Sequence, residues 1–194
     1  RVGERRPRRH VDVAGSAIAK PKEIALQLPR AANDSFLIAD ALHADRSVTL
    51  AARGARASAY EVASGDAVAH DVFPSVDEIV TVRPSAWESF YLLKDKSAAH
   101  EFHWQVTLGS AIRSVGRGGD GSLLFQGEGN EVALAMPAPL AVDATGKEIR
   151  PTLAYADGDL AITFDPAGVT YPVLLDPTIT SWSWVKQSTG VANL

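Results

Sequence analysis

Apolar and polar side chains alternate with a period of two through most of this sequence, and that pattern limits what the chain can fold into more than any other feature. In residues 100–108, Phe102, Trp104, Val106 and Leu108 fall on one side, and Glu101, His103, Gln105 and Thr107 on the other. A chain reads this way when successive Cβ atoms point to opposite faces of a sheet and one face is buried. The same pattern groups Val132, Leu134 and Met136, then Ile149, Leu153 and Tyr155, then Leu160, Ile162 and Phe164. Further strands are predicted at 23–28, 47–51, 67–73, 76–82, 87–94 and 123–126. Turn chemistry separates the runs: the glycine-rich stretch 116–121, Asp143-Ala144-Thr145-Gly146, and the hairpin signal Asp157-Gly158. Pro74, Pro84, Pro137, Pro139, Pro166 and Pro172 punctuate strand edges, where a missing N–H does least damage to a ladder. Many short strands at about 8–12-residue spacing predict an all-β fold, an antiparallel β-sandwich. One short helix is expected in the N-terminal third, over 31–44, with Asn33 or Asp34 as N-cap before Phe36, Leu37 and Ala41.

The chain must hold this core without staples, because it contains no cysteine among its 194 residues. That excludes disulfides, thiolate metal sites and a cysteine nucleophile. At 46% hydrophobic and 22% charged residues it has an ordinary globular balance. Four segments are expected: a basic arm at 1–10, a smaller β region at 11–65, a β-sandwich module at 66–178, and a linker or the start of another unit at 179–194. The arm carries five Arg and one Glu, or +4, against a net charge of −4 for the whole. It reads as solvated and disordered, and Arg5, Arg6, Arg8 and Arg9 also read as a processing site. The net negative charge argues against nucleic-acid binding. No apolar run approaches the roughly 20 residues of a membrane span. No signal peptide opens the sequence, so export would need a signal upstream, and both ends read as those of a fragment.

Each candidate chemistry meets a simpler reading. His100 and His103 would share a helix face but point oppositely on a strand, which disfavours a two-histidine metal site. Glu88 and Glu101, on what read as neighbouring strands, could form a hydrolytic acid pair, but solvent-face charges are the favoured reading. Residues 116–121 contain Gly116-x-Gly118-x-x-Gly121, but no helix follows, so a dinucleotide site is rejected. Asp157-Gly158-Asp159 and Gly119-Asp120-Gly121 could offer calcium oxygen ligands, and hairpin turns explain both. No catalytic residues, metal ligands or cofactor are therefore assigned. Trp87, Phe90, Tyr91, Phe102 and Trp104 cluster on predicted strands. Phe102 and Trp104 read as core, while Trp87 and Tyr91 are the candidates for an exposed sugar-binding platform. Trp182 and Trp184 share one strand face and are the candidates for partner binding by strand addition.

Residues 71–77 (Asp-Val-Phe-Pro-Ser-Val-Asp), 87–94 with Phe102-His103-Trp104, 137–144 and 171–178 (Tyr-Pro-Val-Leu-Leu-Asp-Pro-Thr) carry a family likeness. Together they resemble a β-rich module of large secreted bacterial proteins, of the RHS/YD-repeat kind or with FG-GAP repeats following. Ser75 stands where that family usually has Gly. The resemblance implies a non-catalytic structural or adhesion-type module, extracellular or on the cell surface. It would position neighbouring repeats of the same polypeptide or mediate protein assembly. A carbohydrate-binding module taking a glycan is the alternative. The physics of 171–178 suggests a last strand: Pro172 starts it, Asp176-Pro177 ends its ladder, and the apolar Val173-Leu174-Leu175 implies that both faces are covered.

Overall fold

Alternating runs become strands here because each can remove its apolar face from water only against another sheet. The computed structural model describes residues 24–181, except 28, 64, 65, 84 and 85. The first half of the strands comprises β1 (Ile24–Gln27), β2 (Phe36–Asp40), β3 (His43–Ala52), β4 (Glu61–Ala63), β5 (Asp66–Phe73), β6 (Val76–Arg83), β7 (Ala86–Leu93) and β8 (Glu101–Leu108). The second half comprises β9 (Ser114–Arg117), β10 (Leu123–Gln126), β11 (Val132–Met136), β12 (Leu140–Asp143), β13 (Glu148–Ile149), β14 (Thr152–Ala156), β15 (Asp159–Thr163), β16 (Val173–Asp176) and β17 (Ile179–Ser181). All pairings are antiparallel. A six-stranded sheet runs β1-β2-β3-β8-β15-β14, and an eleven-stranded sheet contains the rest.

The two sheets meet over one core. Tyr91 of β7 stacks on Trp104 of β8 with ring centroids 5.9 Å apart, and Phe102 lies 5.0 Å from the same tyrosine. Phe36 of β2 reaches Trp87 of β7 at 5.1 Å. Aromatic contacts of this geometry add to the area they bury. The fold is thus all-β, with antiparallel sheets packed as a sandwich, and Phe102 and Trp104 are core residues as expected.

Four expectations need correction. Residues 31–44 form no helix. Ala31 and Asp34 close a turn, and Phe36 and Ile38 then alternate inward on β2 while Leu37 points out, 41% exposed. The pairing partner β3 overrides the local capping signal. Among the described residues the one helical piece is a 3₁₀ turn at Glu128–Asn130. Residue 65 does not separate two cores, because β3 pairs with β8 and both feed the same cluster.

The last two corrections concern the ending. The strand expected to be last is followed by β17, which buries Ile179 completely. Both β16 and β17 lie along the same edge of β7 in one unbroken register, Val173 opposite Leu93 and Ile179 opposite Trp87. They form one strand line interrupted at Pro177, which has no N–H to give. Ahead of the interruption its far edge takes β12, and beyond it β11, so the sheet forks there. Finally, β16 is not covered on both faces: Val173 and Leu175 are fully buried, but Leu174 is 38% exposed.

Candidate functional site

The outer face of the eleven-stranded sheet is built by the even-numbered positions of β16, β7 and β12 and by their partners on β6 and β5. Cross-strand register places Val142, Leu174 and Leu92 in one row ending at Asp77. A second row joins Phe90, Ile79 and Val68, with Glu61 of β4 opposite Val68. Leu140 pairs with Asp176 beside the first row. Leu140 is 37% exposed, and the other apolar members apart from Leu174 are half-buried. Successive strands lie about 4.8 Å apart, so this apolar stripe crosses five strands over ~20 Å.

Carboxylates rim the stripe. Asp77 accepts from Lys94 Nζ at 2.9 Å and from the Asp71 N–H at 2.8 Å, with His70 Nδ1 at 3.1 Å. Burial opposes the ionisation of Asp77, but these partners hold its carboxyl below the usual carboxylate range. Lys94 also donates to Asp71 at 2.7 Å, and the two carboxylates raise the ammonium above its ordinary value. Across the stripe, burial pushes the Asp176 carboxyl up, the Thr178 hydroxyl pulls it down, and nearby Glu88 adds to the rise. Asp66 accepts from Thr81 Oγ1 at 2.6 Å. Glu61, Asp66, Asp71, Asp77 and Asp176 lie around the stripe with Lys94, and Glu88 and Glu148 share its face.

A polar cleft of about 490 Å³ lies elsewhere, lined by His43, Asp45 and Arg46 of β3, by Ser110 and Arg113, and by Gly127 and Glu128. Backbone bonds fix its walls: Ala111 donates to the Asp45 carbonyl at 3.1 Å and Arg113 to the Gln126 carbonyl at 2.7 Å. Arg46 is held bidentate by Glu131 at 3.0 and 3.1 Å. On the outer face of the six-stranded sheet, His103 has Asp159 at 2.8 Å on Nδ1 and Glu101 at 3.0 Å on Nε2, while Arg53 lies 3.0 Å from Asp159. The Asp159 bond, against desolvation and with help from Glu101, raises the imidazole above its ordinary value.

The residues singled out from sequence do not converge. Trp87 and Tyr91 are each only 2% exposed, so the expected exposed aromatic platform is corrected: both point into the core, where Tyr91 stacks on Trp104. Trp182 and Trp184 lie outside the described residues, as does the arm at 1–10. Glu88 and Glu101 are not on neighbouring strands. They sit on the outer faces of opposite sheets, across a core about 10 Å thick, beyond the ~9.5 Å limit for an inverting pair. His100 lies 3.1 Å from the Tyr171 hydroxyl, away from the His103 network. Gly116 and Arg117 end β9, and residues 118–122 make the β9–β10 turn, where Asp120 accepts from the Ser122 N–H at 3.0 Å. Asp157 and Gly158 make the β14–β15 hairpin turn, both with positive φ. Among the described residues no group of three His, Asp or Glu side chains could hold a metal ion, and no helix is long and apolar enough to cross a membrane.

Sequence reasoning missed the stripe itself. Its signal was present in 87–93, where Phe90 and Leu92 are apolar on one face while Trp87, Tyr91 and Leu93 are apolar on the other. No family model, curated protein or solved structure matches this chain.

Proposed function

We propose that the chain is a non-catalytic structural module of a secreted or surface bacterial protein, positioning neighbouring domains or mediating assembly through the outer face of its eleven-stranded sheet. The observation that supports this reading most is the acid-rimmed apolar stripe from Val142 to Val68. Apolar patches of this kind, rimmed by polar groups, mark interaction surfaces on soluble proteins. The two-sheet core behind it makes the face rigid, which suits a spacer that sets geometry. The test is X-ray and light scattering of the full-length gene product with the native face or with Leu174→Lys. The native protein should hold one arrangement and mass, and the variant should lose it while keeping its melting temperature. Identical scattering profiles would count against the face as the working surface.

The carbohydrate alternative loses Trp87 and Tyr91, and the polar cleft at His43, Arg46 and Arg113 is the place left for it. Glycan-array binding abolished by Arg113→Ala would favour that second reading.

A further inference from the structure

The end strand β14 leaves one edge of the six-stranded sheet open: among the described residues it pairs with β15 alone. Val106 of β8 donates to the Gly158 carbonyl at 2.7 Å, so Gly158 and, in step with it, Leu160 and Ile162 bond towards β8. Asp159, Ala161 and Thr163 then bond Ala156, Ala154 and Thr152. That leaves the N–H and C=O groups of Leu153 and Tyr155 pointing away from the sheet. The Arg117 guanidinium agrees with this direction, since it donates to the Leu153 carbonyl from outside the ladder. Open edges are normally kept short or guarded by charge, proline or a bulge. The other end strands are shorter: β1 and β9 have four residues, β4 three and β13 two. Of these, β4 carries Glu61 and β9 ends in Arg117. By contrast β14 has five residues, Thr-Leu-Ala-Tyr-Ala, with no charge, no proline and an unbroken register.

We infer that β14 is a docking edge for a second copy of this chain, the two β14 strands pairing antiparallel about a two-fold axis through Ala154. In that register Leu153 faces Tyr155 of the second copy, and each such pair exchanges two backbone hydrogen bonds. The Leu153 carbonyl has a second lone pair and can keep Arg117. Ala154 meets its own equivalent in the close, non-hydrogen-bonded position, where two methyl groups fit. Exposed Thr152 stands opposite exposed Ala156. Charges agree with the pairing. Exposed Arg150 comes beside exposed Asp157 of the second copy at each end. Like charges are kept apart: the row of Glu101, Thr163 and Thr152 continues to Ala156 and Asp159 of the second copy. Those two carboxylates are then four strand spacings apart, ~19 Å, beyond the screening length at physiological salt. A self-complementary edge closes at two copies. It joins two six-stranded sheets into one and leaves the face carrying Leu174 free, so the inference is independent of the reading of that face.

The contact is small and belongs to the weak class, so the test is sedimentation equilibrium of the full chain from ~1 μM to ~1 mM. Amide hydrogen exchange is followed at both ends of that range. Wild type should pass from one copy to two, and the Tyr155 amide should exchange at least about tenfold more slowly at the higher concentration. Ala154→Lys and Ala154→Glu each put like charges on the two-fold axis, and each should raise the dissociation constant at least about tenfold. Mixing the two variants sets Lys against Glu and should restore pairing. Leu42→Asp, on the 82% exposed tip of the β2–β3 turn, serves as the surface control and should behave as wild type. Melting temperatures establish that each variant is folded. A wild type that stays single, with unchanged exchange at Tyr155, overturns the inference. So does a mixture that stays single where wild type pairs. Pairing lost in Leu174→Lys but kept in Ala154→Lys also overturns it, and moves self-association to the outer face of the eleven-stranded sheet. The converse pattern, with scattering of the full-length gene product unchanged by Leu174→Lys, keeps the edge and removes the face.

Discussion

Glu78 is a carboxyl group inside the core, 2% exposed on the inner face of β6. It accepts from the Tyr60 hydroxyl at 2.6 Å and from Ser89 Oγ at 2.7 Å. Burial pushes it above the ordinary glutamate value, and the two hydroxyls offset only part of that. Burial first, and then Glu78, also raise the Tyr60 phenol, so it stays a donor. The sign of the linkage is set by the direction of the shift. An unfolded Glu releases its proton near pH 4.5, while the native form keeps it to higher pH. Between those values the native state binds more protons, so stability falls as pH rises. Glu78→Gln should therefore flatten the pH dependence of urea midpoints above pH 4.5. A variant whose midpoints still fall as steeply as wild type's would show that another group is responsible. Asp143 is the opposite case. Its carboxyl accepts from the Thr145, Lys147 and Thr170 N–H groups and from the Thr145 hydroxyl, which hold it far below the usual range. Its contribution is present above pH 3.8 and is lost as pH falls.

Elements are joined closely where glycine permits it. Gly109, leaving β8, donates to the Ser47 carbonyl at 2.8 Å, and a Cβ there would lie 2.9 Å from the Ser47 nitrogen and closer still to the Asp45 carbonyl. Backbone on both sides cannot yield, so Gly109→Ala should cost roughly 1–3 kcal/mol and disturb the wall of the polar cleft, read as a lower melting temperature. At this scale much was legible from sequence. The runs at 67–73, 76–82, 87–94, 100–108 and 123–126 became β5, β6, β7, β8 and β10 within a residue or two, because period-two burial is a local property. The Asp157-Gly158 turn was equally legible, since its positive φ values demand those residue types. The strand β2 was not. Ala31, Asn33 and Asp34 speak locally for a cap, and only pairing with β3 decides otherwise. Nor was the division of β7 and β8 between sheets, which separated Glu88 from Glu101: neighbours in sequence need not be neighbours in a sheet, and no local pattern says which is which. The face that Trp87 and Tyr91 occupy was ambiguous for a related reason, since both sides of their strand are apolar and the buried side is chosen by the opposing sheet.

For the whole molecule, the fork at Pro177 joins the two branches of the larger sheet. One branch, β12 and β13, hangs on β16, and the other, β11, β10 and β9, hangs on β17. A chain ending at Thr178 should lose the second attachment and the buried Ile179, and unfold at least ~2–5 kcal/mol more easily than one ending at Ser181. Equal denaturation midpoints would mean that β11 is held by other contacts. The same arrangement has a consequence for synthesis. As the ribosome extends the chain, β7 can pair with β6 at once, but its other edge has no partner until residues ~80 positions downstream emerge. At roughly 5–20 residues per second that edge stays open for about 4–16 s. During that interval the nascent protein offers other chains an unpaired strand with two apolar faces, the state in which it is most open to aggregation and to capture by a chaperone.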